Sequence, residues 1–207
     1  MPKPKIWKAE DIIGLVPDEL LDNLSSETAV DYSVKKLKGK LVFKLFLFAF
    51  LNGYSISLRI LEMIYKSERF KNLFNMPIKP VRHSAIGARL YNINYRYFEK
   101  IFEHLVHSPQ LEAVLFNRQK ISVSKIDTTL VLVSSKLMSV GLNDNPGYKT
   151  LKFGVELRDS VPVNIMLFEN QKELSEDNAL PKLILEQKQK KALNIAIFDR
   201  GIQRKQN

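Results

Sequence analysis

The sequence predicts an α+β protein, with a helical domain over residues 1–118 followed by an α/β core with a mixed sheet over residues 119–207. Three observations predict it. Before Pro109, apolar residues recur every three or four positions. After it, runs rich in Val, Ile, Ser and Thr take over, which is the composition of strands. The compact apolar run at 192–198 then follows a helical segment, as a buried parallel strand after a crossover would.

Composition narrows the classes. The chain has 207 residues, 45% of them hydrophobic, enough for a packed core and too apolar for a disordered chain. There are 32 Lys+Arg against 22 Asp+Glu, a formal charge of +10. The surplus is spread, with 18 basic and 12 acidic residues in 1–118 and 14 and 10 in 119–207, so it is no basic tail on a neutral domain. Charge alone leaves open a polyanionic partner and a merely soluble basic surface. The absence of cysteine excludes disulfides, zinc-thiolate sites and cysteine nucleophiles, and suits a reducing compartment. No apolar run follows the lysines of the first seven residues, so no secretory signal is read there. The most apolar stretch, 41–51, is 11 residues with Lys44 inside, where a membrane span needs about 20. It is read as a buried helix, and no membrane partner is expected.

The elements follow in order. Residues 10–24 read as one or two short helices around Pro17, 25–36 as a loop and 37–51 as the buried helix. Gly53 breaks it, and Ser57 is a candidate cap for a helix over 58–65. Pro77 and Pro80 punctuate the next connection. Ser84 then caps one long helix whose apolar stripe is Ile86, Leu90, Ile93, Tyr97, Ile101 and Leu105. Arg89, Arg96 and Lys100 recur by seven and four and so share another face, which suits phosphates or plain solvent. Residues 111–116 form a short helix or loop, and 121–133 a strand. Residues 143–147 are a turn cluster. Strands at 149–157 and 161–168 join by a tight turn, a helix starts at Ser175 and tolerates Pro181 early, and the last strand ends at Asp199.

Two carboxylates stand out. Asp127 lies inside a strand-like run, where burial is costly unless the group is paired or holds metal. Asp199 ends an apolar strand, at the edge of an α/β sheet where ligands gather. If the first and last strands are adjacent and parallel, both carboxylates share one small space, and oxygen ligands suit Mg²⁺ or Mn²⁺. The matching chemistry is metal-dependent phosphoryl transfer. Each aspartate also has an ordinary reading, Asp199 as a turn residue and Asp127 as an exposed strand residue. His83, His104 and His107 show no metal-ligand spacing.

At these two positions the chain resembles DDE transposases of bacterial insertion sequences, in the type-4 insertion-sequence group. The first aspartate is followed by small hydroxyl residues, Ile126-Asp127-Thr128-Thr129, and the second closes an apolar strand, Ile195-Ala-Ile-Phe-Asp199-Arg200-Gly201. Between them lie a basic strand, Tyr148-Lys-Thr-Leu-Lys-Phe-Gly154, a second strand and the polar stretch Glu176-Asp177-Asn178. Residues 82–90 and Tyr97-Phe98-Glu99 are similar to the segment preceding that family's catalytic core.

The resemblance implies a ribonuclease H-like core in which Asp127 and Asp199 are catalytic metal ligands. It implies Mg²⁺ or Mn²⁺, and double-stranded DNA as partner, both transposon ends and target. Arg82, Arg89, Arg96, Lys100 and Arg200 are the expected DNA contacts. A cytoplasmic location, nucleoid-associated when DNA-bound, and self-association belong to the same expectation. The family's third acidic residue is a glutamate in a Tyr-x-x-Arg-x-x-x-Glu signature well beyond the second aspartate. Only eight residues follow Asp199 here, none acidic. The implied core is thus incomplete, its last strand and helices missing, and the chain as given is expected not to catalyse strand transfer. The alternative is a noncatalytic DNA-binding remnant.

Overall fold

The computed structural model describes residues 9–74, 79–108, 121–133, 141–144, 148–158, 161–187 and 193–198. The chain divides into two compact units between Leu105 and Val106. Among the described residues the first is helical and the second is a mixed five-stranded sheet with one long helix, an α+β arrangement. The boundary expected at residue 118 falls in 109–120, which lie outside the described residues, as does the helix or loop expected at 111–116.

Helices α1 (Ala9–Gly14) and α2 (Asp18–Thr28) flank Pro17, whose extended backbone opens α2 and sets Asp18 and Glu19 on its positive end. Helix α2 runs to Thr28, so the polar loop begins later than residue 25. Helix α3 (Gly39–Leu51) is the apolar segment. Lys44 is tolerated inside it because its ammonium meets Asp18 at 2.5 Å and lies over the Phe74 ring. Ser57 caps α4 (Leu58–Lys66) by accepting from the Ile60 N–H at 3.3 Å. Helix α5 (Glu68–Phe74) completes a core of Leu41, Leu45, Phe48, Leu61, Ile64 and Phe70. Pro77 lies outside the described residues. Among the described residues no helix is long and apolar enough to cross a membrane.

The single long helix expected from Ser84 is instead two, α6 (His83–Asn92) and α7 (Arg96–Val106). Apolar spacing carries through the break, but the backbone does not: Ile93 is extended. Asparagine side chains compete here for backbone partners. Asn94 donates to the Thr28 carbonyl at 2.9 Å and accepts from the Arg96 N–H at 3.2 Å, and Asn92 donates to the Ala88 carbonyl. Arg82, not Ser84, occupies the cap position of α6. The stripe therefore divides. Ile86 and Leu90 join the first core, whereas Tyr97, Ile101 and Leu105 pack with Val16, Leu21 and Val30.

The sheet unit is built on β1 (Ile121–Val133), β2 (Leu142–Asn143), β3 (Lys149–Arg158), β4 (Val161–Phe168) and β5 (Leu193–Phe198). Strand β3 pairs antiparallel with β1 along one edge and with β4 and β2 along the other. Strand β5 pairs with β1 in parallel, with Ile121 opposite Leu193 and Ile126 opposite Phe198. Between β4 and β5 come a 3₁₀ turn (Gln171–Leu174) and α8 (Glu176–Gln187), which contains Pro181. Helix α8 covers one sheet face. Ala179, Leu180 and Leu183 pack on Ile126, Phe168 and Ala196, and a Cβ added at Gly154 would collide with Leu183. Residues alternate across a strand, so Val123, Ile165, Ile195 and Ile197 lie on the other face, each between 39% and 50% exposed. The buried parallel strand expected at 192–198 is thus parallel but covered on one face only.

Candidate metal centre and basic surface

Strand β1 runs seven residues past its last pairing with β5 at Ile126. Asp127 is the first of these, directly opposite Val155 of β3. Alternation turns its side chain away from α8, and it is exposed rather than buried. The cost of burying a strand-centre carboxylate therefore does not arise here. Its Oδ1 accepts from the Thr128 N–H at 2.8 Å. Its Oδ2 has no hydrogen-bond partner among the described residues, so one carboxylate oxygen is open to a hard cation.

Asp199 and Arg200 lie outside the described residues. The described register stops one step before each aspartate, at Ile126 beside Phe198.

Thr128 points to the α8 side. Its hydroxyl donates to Glu176 Oε1 at 3.3 Å, in the first turn of α8. Lys152, only 2% exposed, donates to the Leu174 carbonyl at 2.7 Å. Burial holds its ammonium pKa below the ordinary value, and the negative charge of Glu176 offsets only part of that. On the same covered face, Glu156 is 1% exposed, accepts from the Ser124 hydroxyl at 2.7 Å and meets Arg158 at 3.4 Å. Sequence patterns do not single out Glu156, and they set Lys152 and Glu176 only within the segments between the two aspartates, not as neighbours of Asp127. Strand parity sets Lys152, Gly154 and Glu156 on one face, and only the packing of α8 makes that face the buried one. Among the described residues no three His, Asp or Glu side chains gather as a metal cluster.

The basic residues separate. Arg82 and Arg96 are exposed and form no ion pair with a described residue. Lys100 is half-buried and meets Glu27 at 2.6 Å, which raises its pKa. Arg89 is buried. Its Nε donates to the Leu37 carbonyl at 2.8 Å, and its Nη2 to the Val30 carbonyl at 2.8 Å and Asp31 Oδ1 at 3.1 Å. The helix break at Ile93 takes Arg89 off the face it was expected to share with Arg96 and Lys100, which stay i, i+4 on α7. Arg89 instead ties the loop after α2 to α6.

The chain matches no protein-family model, no curated protein and no solved structure.

Proposed function

We propose that the chain is a DNA transposase of the DDE type, built on a ribonuclease H-like core, with Asp127 and Asp199 as metal ligands. The observation that supports this reading is the parallel pairing of β5 with β1, in a register whose last described step, Ile126 with Phe198, immediately precedes both aspartates. A register continued by one residue would make the two carboxylates neighbours on one sheet face. Their oxygens suit Mg²⁺ or Mn²⁺, which when bound would supply Lewis acidity to a DNA phosphodiester. Thr128 supports the pair by donating its N–H to Asp127, which fixes the carboxylate while leaving Oδ2 open. Exposed Arg82 and Arg96 provide phosphate contacts in the helical unit.

A second reading, DNA binding without chemistry, rests on the exposed Arg82 and Arg96 of the helical unit alone. Divalent-ion titration separates the two, with Mn²⁺ binding measured calorimetrically beside nicking of DNA carrying inverted-repeat ends. Mn²⁺ uptake and nicking, both lost in Asp127→Asn, support the transposase reading. Salt-sensitive DNA binding with neither supports the noncatalytic one. No DNA binding at low salt removes both.

A further inference from the structure

A cleft of about 550 Å³ lies in the helical unit, between the end of α3, α5 and α1, and the function proposed above does not use it. Phe48 and Leu51 reach it from α3, Asn52 from the cap that ends α3, and Arg69, Asn72 and Leu73 from α5. Each set is spaced i, i+3, i+4, so each occupies one helix face. Ile13 of α1 adds to the apolar wall.

The polar groups there are arranged and unclaimed. The Arg69 guanidinium stands 5.8 Å over the Phe48 ring, which Phe70 holds edge-on at 5.5 Å. The adjacent Glu68 is engaged by Lys71 at 2.7 Å, and Arg69 has no carboxylate partner among the described residues. The Asn72 amide has no partner there either. Asn52 donates its Nδ2 to the Phe48 carbonyl at 2.8 Å, leaving its Oδ1 as an acceptor. The cleft thus offers a cation, an amide donor and acceptor pair, a second acceptor and apolar walls.

We propose that this cleft binds one unpaired nucleotide, with the phosphate on Arg69, the base edge on Asn72 and Asn52, and the base face against Leu51 and Leu73. A planar ring with its own donors and acceptors matches the two amides. An alkyl carboxylate would satisfy Arg69 but desolvate both amides without partners, which is costly. The size suits a nucleotide-sized ligand, and the +10 charge favours a phosphate. The site goes beyond the proposed reaction and does not depend on Asp127. The nucleotide could be free or part of single-stranded DNA.

The test uses the full chain and fluorescence anisotropy of a short labelled single-stranded DNA, with deoxynucleoside monophosphates as competitors. Arg69→Ala should weaken binding about tenfold, the loss of one charged hydrogen-bonded contact. Asn72→Asp, an exposed change that leaves the core untouched, should weaken it comparably, by removing the amide donor to the base edge and setting a carboxylate three residues from Arg69. Lys66→Ala, a cation removed from α4 outside the cleft, should change it less than about twofold, as expected for screened surface charge. Competition by monophosphates identifies the free nucleotide as sufficient, whereas competition by single strands alone identifies strand context as required. Unchanged binding in Asn72→Asp, or equal losses in Arg69→Ala and Lys66→Ala, overturns the site. Asp127→Asn should bind normally, so failure here and failure of the metal centre are read separately.

Discussion

The helical unit and the sheet unit treat charge and apolar surface in opposite ways. In the helical unit the buried cations are few and individually answered, Lys44 by Asp18 and Arg89 by Asp31 and two carbonyls. In the sheet unit the covered face carries Thr150, Lys152 and Glu156, while Leu151, Phe153, Val155 and Leu157 on the opposite face of β3 are only half-buried. Hydropathy thus does not decide which face of β3 is inside; the position of α8 does. Gly154 sets that position, because only a residue without a Cβ admits Leu183 so close.

The largest effect should come from removing the answered cation. Arg89→Ala leaves the Val30 and Leu37 carbonyls without their donor and Asp31, 18% exposed, without its cation. A loss of about 3 kcal/mol in urea unfolding is expected, at the low end for a buried pair because Asp31 reaches solvent. Hydrogen exchange should show it in α2, α3 and α6. A loss under about 1 kcal/mol, the net value of a single ordinary hydrogen bond, would mean that Arg89 is not a buried tie.

Gly154→Ala is the matching change in the sheet unit and should cost about 2 kcal/mol, since Leu183 is buried and must give way to the added methyl. Protection should fall in β1, β3 and α8 and stay unchanged in α3. Gly39→Ala does the reverse, meeting Val30 Cγ1 at 2.9 Å and the Tyr97 ring at 3.1 Å. Free energies of the two glycine variants should add in the double variant if the units are energetically independent.

A smaller, pH-dependent difference belongs to the helical unit. Hydrogen bonds from Lys66 and from the backbone and ring of His83 hold the Glu62 carboxyl at about 2, below its ordinary 4.5. A depressed carboxyl contributes stability that is full above about 4.5 and is lost as pH falls toward 2. Burial and three aspartates push the Tyr97 hydroxyl the other way, upward, so its contribution is full below 10 and is lost above it. Thermal melting of Glu62→Gln across the acid range should be flatter than that of the parent. An equally steep acid limb would remove Glu62 as its cause.

Local patterns carried most of the fold because they need only neighbours along the chain. Pro17, the Ser57 cap, the break at Gly53 and the strands at 121–133, 149–157 and 161–168 are all such patterns. The split of α6 from α7 was not legible, since Asn94 acts by reaching Thr28, 66 residues away in sequence. Arg89 failed as a surface residue for the same reason: its partners are Val30, Asp31 and Leu37. Alternation gives two faces of a strand but not which one a later helix covers, so Lys152 and Glu156 could not be assigned inside and Asp127 outside. Strand order was legible only conditionally, and the parallel β1–β5 pair meets the condition placed on the aspartates.

The smallest stability effect should come from Asp127 itself, and that is what distinguishes a site from scaffold. Its side chain is exposed and makes one described bond, to the next residue's N–H, so Asp127→Asn keeps an acceptor there and loses only charge. Unfolding free energy should change by no more than about 0.5 kcal/mol, as for surface substitutions elsewhere. If Asp127 and Asp199 repel each other without metal, the asparagine variant should be the more stable of the two in chelator and lose that advantage in Mn²⁺, because only the parent gains a ligand-linked increment. A melting temperature of the parent that ignores Mn²⁺ while Asp127→Asn costs more than about 1 kcal/mol would make the aspartate structural. That outcome would put it in the same class as Arg89 and leave the metal-centre reading without its first ligand.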